Sequence, residues 1–296
     1  MEEILSIIIP FYKGNDVINK LLMTIETLNT LVTKNNICKI EVIIVNDSPE
    51  CNVQIKYAYK TRIKIINNKK NLGIHGSRIK GLENCFGTWI LFIDQDDLII
   101  PENLFKEINN INEGKYNDAG LIIGNSYYYF GNVKKKIYSN IQEMGKATNN
   151  NTLLYIRNTI VSPGCCLIRK NRIPNFWREN ILKINGVDDW FLWLLLLNNG
   201  IKVALNDDVV YVHQDSKGNN LSYNLDKMHA SSAEMIHILS LSDNFSRKKL
   251  KRLKREEEFK YYKDTKKLTW IKSIKYFDCI VINIIYKLMI LKAKYV

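Results

Sequence analysis

The feature that most constrains this chain is a series of short, unbroken apolar runs that end in proline or in carboxylates and alternate with helix-like stretches. Leu5 to Ile9 is the first run, and it stops at Pro10. A run apolar at every position lacks the in-and-out alternation of a half-exposed strand and reads as a strand buried on both faces. Val17, Leu21, Ile25, Leu28 and Val32 follow at three- and four-residue spacing, which lays one apolar stripe along a helix. The pattern then repeats. Ile40 to Val45 ends in Asn46 and Asp47. Arg62 to Ile66 leads through the Asn71-Leu72-Gly73 turn into a helix over His75 to Cys85. Thr88 to Ile93 ends in Asp94-Gln95-Asp96-Asp97. Pro101 suits the first turn of a further helix carrying Leu104, Ile108 and Ile111. Such alternation predicts an α/β fold, a mostly parallel sheet flanked by helices, with ligands bound beyond the carboxyl ends of the strands. Both acidic groups fall at such ends.

After Asp118 the alternation weakens. A strand is expected over Ala119 to Gly124, then a tyrosine-rich stretch at Tyr127 to Tyr129 and a loop at the polar run Asn149 to Asn151. Strand character returns at Cys165 to Ile168, Asp188 to Leu197 reads as a buried helix, and Val209 to Val212 is a last short strand ending in His213. From about Ser222 the chain turns helical and basic. The expected division is therefore a main domain over 1–222, with halves 1–97 and 98–222, and a helical, basic extension over 223–296.

With 296 residues, 46% of them hydrophobic, the chain can fill a large core. Its net charge of +13, from 43 Lys and Arg against 30 Asp and Glu, favours an anionic partner. The densest basic run, Arg247 to Arg255, makes this mostly a property of the C-terminal part. Ile271, Ile274, Val281, Ile285 and Leu288 lie roughly on one helical face there. Asp278, Asn283 and Lys287 interrupt the apolar run, which falls short of the ~20 residues of a bilayer span. An interfacial helix is expected, with residues 247–296 in peripheral contact with an anionic membrane. Nucleic acid is not an expected partner, because basic residues interleaved with aromatics are missing from the main domain. The six cysteines have no CxxC spacing and are expected as thiols. Ile4 to Ile9 is too short for a signal-peptide core and follows two glutamates, so the expected location is the cytoplasm, at the inner face of the membrane.

Several residues invite chemistry. The Asp94 to Asp97 cluster suits a divalent ion held against phosphate oxygens, or else a solvated acidic turn or helix cap. Asp47 can accept a hydrogen bond from a base or a ribose hydroxyl, or cap the next helix. Of Asp188 and Asp189, one can cap its helix while the other serves as a general base. His213 reads as a surface histidine, a base or a metal ligand.

The order of these pieces narrows the choice. Pro-Phe-Tyr follows the first strand and Val-Asn-Asp closes the second. Asn-x-Gly-x-x-x-Ser-Arg-x-x-Gly begins at Asn71, Phe-Ile-Asp-Gln-Asp-Asp at Phe92, and Asp-Asp-Trp at Asp188. Together they resemble the family 2 glycosyltransferases of GT-A fold, over roughly Ile4 to Ser222. The resemblance implies an inverting, metal-dependent transfer of a sugar from a nucleotide diphosphate sugar, a UDP-sugar by family habit. The acceptor would be a hydroxyl of a lipid-linked oligosaccharide or a surface polysaccharide such as a capsule or lipopolysaccharide. Pro10, Phe11, Tyr12, Asp47, Arg78 and Asp94 would bind the nucleotide, with Asp47 on the base and Asp94 toward the ribose. Asp96 and His213 would hold Mn²⁺ or Mg²⁺. Asp189 would be the catalytic base, with Asp188 as the alternative. Asp97, Ser162, Gly164, Cys165 and Trp190 would meet the sugar or acceptor. The chain departs from the family's usual pattern at Ser48-Pro49, where Gly-Ser is common, and at Ile79, where Asn often follows the arginine. A sugar nucleotidyltransferase is disfavoured, since no glycine-rich loop follows the first strand. The competing reading is a non-catalytic polysaccharide- or membrane-binding protein on a degenerate transferase fold. Self-association into a homo-oligomer through the C-terminal helices stays open.

Overall fold

The first apolar run becomes β1 (Ile4–Phe11), flanked by β2 (Lys39–Asn46) on one side and β4 (Trp89–Phe92) on the other, with β3 (Arg62–Asn67) outside β2; all four are parallel. The structure, a computed structural model, describes residues 4–130, 133–214 and 223–295. Burial explains why β1, β2 and β4 lack alternation: Ile7, Ile8, Ile9, Val42, Ile44 and Phe92 are fully buried. The parallel register pairs Phe11 with Asn46 and Asn46 with Asn67. Pro10 to Tyr12 at the end of β1, and Asp47, Asn68 and Asp94 just past β2, β3 and β4, consequently gather at the carboxyl ends of the strands, where the sequence pattern anticipates a ligand.

Three helices complete this half: α1 (Ile18–Lys34), α2 (Gly73–Glu83) and α3 (Pro101–Asn112), the last opened by its proline. α2 packs on β1 and β2, and α1 packs on β2, α3 and β5 (Leu98–Ile99). The close seat of α2 depends on Gly81, where an added Cβ would lie 2.3 Å from Ile8 Cγ2.

Beyond β4 antiparallel pairings enter. β8 (Cys166–Arg169) lies antiparallel between β4 and β6 (Leu121–Phe130), β7 (Val133–Lys136) is antiparallel to β6, and β9 (Val203–Gln214) runs parallel to β6 and antiparallel to β5. Two of these strands outrun their sequence signals. β6 takes in Tyr127 to Tyr129, and β9 starts at Val203 rather than Val209. The polar stretch Asn206 to Asp208 hides the second, because β9 pairs with β6 at Asn206 and again at Val209, across register shifts on both sides of Asn125. Its charge is answered from neighbouring strands, with Asn125 Nδ2 and Lys136 Nζ donating to Asp207 Oδ1 at 2.9 and 3.0 Å.

Contacts divide the chain into two interleaved units. One, Met1–Ile137, Val161–Ile173 and Ile201–Lys217, holds the sheet. The other comprises Tyr138–Ile160, Pro174–Gly200 and Gly218–Val296. The boundary expected at Ser222 lies outside the described residues. The second unit is helical: α4 (Ile141–Ala147), α5 (Asn150–Tyr155), α6 (Asn175–Glu179), α7 (Asp188–Asn198), α8 (Leu225–Leu239), α9 (Arg247–Asp264), α10 (Trp270–Lys275) and α11 (Phe277–Lys294). The loop expected at Asn149 to Asn151 is instead the start of α5, because the Asn149 side chain accepts the Thr152 N–H and caps it. α7 is buried nearly all round, with Trp193 and Phe191 fully enclosed.

Glu107 of α3 is fully buried, and burial pushes its carboxyl up from 4.5 to about 8; the Asn206 amide opposes this and Asp208 adds to it. The folded chain thus binds a proton there that the unfolded chain releases above pH ~4.5. Stability supplied by that proton is lost as pH rises toward about 8, and Glu107→Gln is expected to flatten this part of the stability–pH profile in urea titrations. Gly81→Ala, normally a gain for a helix, is expected to destabilise by about 1–3 kcal/mol through overpacking against Ile8, read as a lowered Tm.

Candidate active site

At the strand edge, Asp47 is 4% exposed. Its Oδ1 accepts from Leu72 N at 2.7 Å and Asn68 Nδ2 at 2.9 Å, and its Oδ2 from Gly73 N at 2.9 Å. The carboxylate thereby ties the end of β2 to the start of α2, which is the capping alternative raised by its position. One further turn along α2, Arg78 is nearly buried, and its Nη2 donates to Asp94 Oδ1 at 2.7 Å; Asp94 is the more open of the two. Of Pro10-Phe11-Tyr12, Phe11 is fully buried in the core, whereas Tyr12 is 51% exposed. Gln95 was given no role from sequence, yet it fixes this exit. Its Oε1 accepts Tyr12 N at 2.9 Å and its Nε2 donates to Tyr12 O at 3.0 Å. An amide is the side chain suited to answer both groups of one backbone residue.

The other side of the acidic turn is set by β9. β5 pairs Leu98 with Val212, which carries His213 to Asp97. Asp97 is 1% exposed. It accepts from the Tyr211 hydroxyl and from Gln214 N at 2.8 Å, while His213 Nδ1 lies 3.2 Å from its Oδ1. Burial and the charges of Asp97 and Asp94 raise the Tyr211 phenol well above its usual range, so it stays a donor. His213 is also flanked by the Tyr128 ring, 4.9 Å away between centroids. Burial opposes charge on its imidazole, but the hydrogen bond and charge of Asp97, with Asp94 and Asp96 behind, outweigh burial and raise its pKa. Asp96 is half-buried, and burial together with the charges of Asp97 and Asp94 pushes it up to about 6. Asp97, expected to meet the sugar or acceptor, is thus enclosed and spent on holding β9. Tyr211 was missed from sequence, although Tyr211 and His213, two apart on one strand, share a face.

Ser162, Gly164 and Cys165 form a turn wedged against the same strand. Ser162 Oγ accepts Gly164 N at 3.1 Å, and a Cβ on Gly164 would come 2.4 Å from the Tyr211 ring. Cys165 is buried, so its thiol is not open to an acceptor.

In the helical unit, Asp188 and Asp189 open α7. Asp188 is buried, and its carbonyl accepts Trp177 Nε1 at 2.9 Å. Asp189 is more open; its Oδ2 accepts Asn158 Nδ2 at 2.9 Å and its Oδ1 accepts Trp190 N at 2.7 Å. Trp190, expected to stack on a sugar, is 3% exposed, with its indole N–H donated to Leu153 O at 2.8 Å. A helix apolar on every face buries its tryptophan. Asn158 emerges as the side chain that orients Asp189.

Among the described residues no group of three or more His, Cys, Asp or Glu is arranged to hold a metal ion. Within the sheet unit the structure does bring together Arg78, Asp94, Asp96, Asp97 and His213. Tyr211→Phe, which strips the buried Asp97 of its hydroxyl donor, is expected to cost about 1–3 kcal/mol in denaturant unfolding.

The chain is similar to known proteins. A cholesterol galactosyltransferase of Borreliella burgdorferi is 28% identical over 232 residues, 72% of this chain and 60% of its own length. The chain spans between 21% and 60% of the first curated relatives it matches. TarS residues 1–349 of S. aureus in complex with UDP-GlcNAc superposes with a TM-score of 0.65 at 17% identity, over 94% of this chain and 79% of that one. The mannosyltransferase PcManGT from Pyrobaculum calidifontis, in complex with GDP-Man and Mn²⁺, gives a TM-score of 0.54 at 12% identity, over 88% and 70%. At such identities these two structures show the fold, which is that of GT-A glycosyltransferases. The family model described as glycosyl transferase family 2 matches residues 6–173, more than half of the sequence, and this chain therefore belongs to that family.

Proposed function

We propose that the chain transfers a sugar from a nucleotide diphosphate sugar, with UDP as the nucleotide, to a hydroxyl of a lipid-linked oligosaccharide or growing surface glycan such as a capsule or lipopolysaccharide. The observation that carries this reading is the acidic turn at the carboxyl edge of the parallel strands, where Arg78 is paired to Asp94 beside a half-buried Asp96. In it Pro10 and Phe11 at the end of β1 and Asp47, held by Asn68, Leu72 and Gly73, frame the base pocket, and the exposed Tyr12 ring makes the contact with the base. Arg78 balances phosphate charge, and Asp94, oriented by Arg78, meets the ribose.

Asp96 and His213 would hold Mn²⁺ or Mg²⁺, which when bound neutralises charge on the departing diphosphate. The residues fit such an ion. Asp96 is raised toward neutrality by burial and by the charges of Asp97 and Asp94, and a cation relieves that crowding of charge. His213 turns Nδ1 to a buried carboxylate at 3.2 Å, as metal-binding imidazoles commonly do. PcManGT was solved with Mn²⁺ and TarS with UDP-GlcNAc, which supports both the ion and the donor class.

Asp189 serves as general base, taking the proton from the acceptor hydroxyl as its oxygen attacks the anomeric carbon, so that the configuration inverts. Its greater openness favours it over Asp188. Asn158 fixes its orientation, and Ser162, Gly164 and Cys165 supply backbone to the acceptor side. Residues 1–222 form the transferase and 223–296 a helical extension in peripheral contact with an anionic membrane at the cytoplasmic face. A lipid acceptor accords with the sterol named for the Borreliella burgdorferi relative.

Purified protein given a panel of nucleotide sugars and lipid acceptors is expected to release nucleoside diphosphate from one donor only when Mn²⁺ or Mg²⁺ is present. Asp96→Ala and Asp189→Asn are each expected to lower kcat by roughly 10²–10⁴-fold, and Asn158→Ala by about tenfold with donor KM unchanged. Binding without turnover for any donor would leave the non-catalytic alternative.

A further inference from the structure

α11 is apolar on two sides, and one of them is covered. Cys279 and Ala293 are buried, Cys279 clustering with Phe259 and Tyr276, and Asn140 Nδ2 ties the last turn toward α4 by donating to Ala293 O at 3.1 Å. On the other side Phe277, Ile284, Ile285, Leu288 and Leu291 stand 51–65% exposed, and α10 adds Trp270, Ile271 and Ile274 at 60–78%. A helix apolar around most of its circumference calls for cover on both sides. No helix of the described residues is long and apolar enough to cross a membrane.

Two covers compete, a second copy of this chain and a lipid surface. Residues 277, 281, 284, 288 and 291 alternate by four and three, the spacing of a coiled-coil seam. The flanks decide against that seam. Between positions 270 and 295 the sequence has five lysines and a single carboxylate, Asp278. That carboxylate is taken, with Arg252 Nη1 at 2.6 Å and Arg255 Nη2 at 2.7 Å, and the two guanidinium groups hold it below the usual carboxylate range. Two copies meeting here would set Lys287, Lys292 and Lys294 against their own kind without an acid to answer them. Anionic headgroups would answer them, and Trp270 is the residue type favoured at the level of headgroups.

We propose that the exposed face of α10 and α11 docks flat on an anionic lipid surface. The proposal deepens the membrane contact in the reading above and gives it a specific surface. It also relocates the contact within the C-terminal part. Arg252 and Arg255, from the densest basic run of the sequence, are clamped on Asp278 and hold α9 to α11, while the apolar face of α10 and α11 and its lysines meet the lipid.

The full chain would be floated with vesicles of phosphatidylcholine alone and of phosphatidylcholine mixed with phosphatidylglycerol, with nucleoside diphosphate release measured in parallel without vesicles. Binding is expected only to the mixed vesicles and is weakened by salt. Ile284→Ser with Leu288→Ser, both at exposed positions, is expected to lower the partition coefficient by about tenfold or more. Lys287→Glu with Lys292→Glu, which leaves the apolar side chains in place, is expected to remove the preference for phosphatidylglycerol. Donor turnover without vesicles is expected to be the same in all, so its loss would count against the transferase and not against docking. Equal binding by the Ile284→Ser, Leu288→Ser protein overturns the proposal. So does a wild-type chain that ignores both vesicles, whether it stays monomeric or forms a dimer that the same substitutions abolish.

Discussion

The candidate site in the sheet unit depends on one buried carboxylate. Asp97 accepts from the Tyr211 hydroxyl and the Gln214 amide and faces His213, so one side chain joins the acidic turn after β4 to the end of β9. A carboxylate so enclosed is tolerable only when its oxygens are answered by donors. Its charge then acts on what surrounds it. It adds to burial in keeping Tyr211 protonated, favours the charged form of His213 and, after burial itself, is the main reason that Asp96 resists ionisation. Asp94 is paired with Arg78 Nη2 at 2.7 Å.

Around that carboxylate the strand ends are fastened by groups that complete each other's hydrogen bonds. Asp47 fills the amino end of α2, and Gln95 answers both backbone groups of Tyr12. Gly164 lets the Ser162 turn approach Tyr211. Side chains already held by their neighbours lose little freedom when a ligand binds. The helical unit follows the same logic at α7, where Asn158 and the Trp190 amide fix the Asp189 carboxylate. Its C-terminal helices reverse the usual allocation of charge and apolar surface: arginines are drawn inward onto Asp278 while large apolar side chains face out.

Much of the fold was legible because local chemistry dictated it. Continuous apolar runs gave β1, β2 and β4, and Pro101 marked the start of α3. The family's ordered motifs were complete enough to identify it, in agreement with the match over residues 6–173. Legibility failed where polar side chains found partners across the sheet. Asn206 to Asp208 look like a loop until Asn125 and Lys136 are seen to pair with Asp207. The Asn149 to Asn151 run reads as a loop until its first member is seen to cap a helix.

The sequence by itself determined the α/β class, the family, and the placing of acidic residues at strand ends, because apolar period and strand-end chemistry are local properties. Tertiary structure alone decided how those residues are used. It enclosed Asp97 and Trp190, left Asp189 more open than Asp188, and brought in Tyr211, Gln95 and Asn158. Burial and hydrogen-bond partnership depend on strands far apart in the chain coming into register, and no local pattern records which distant donor will answer a given carboxylate.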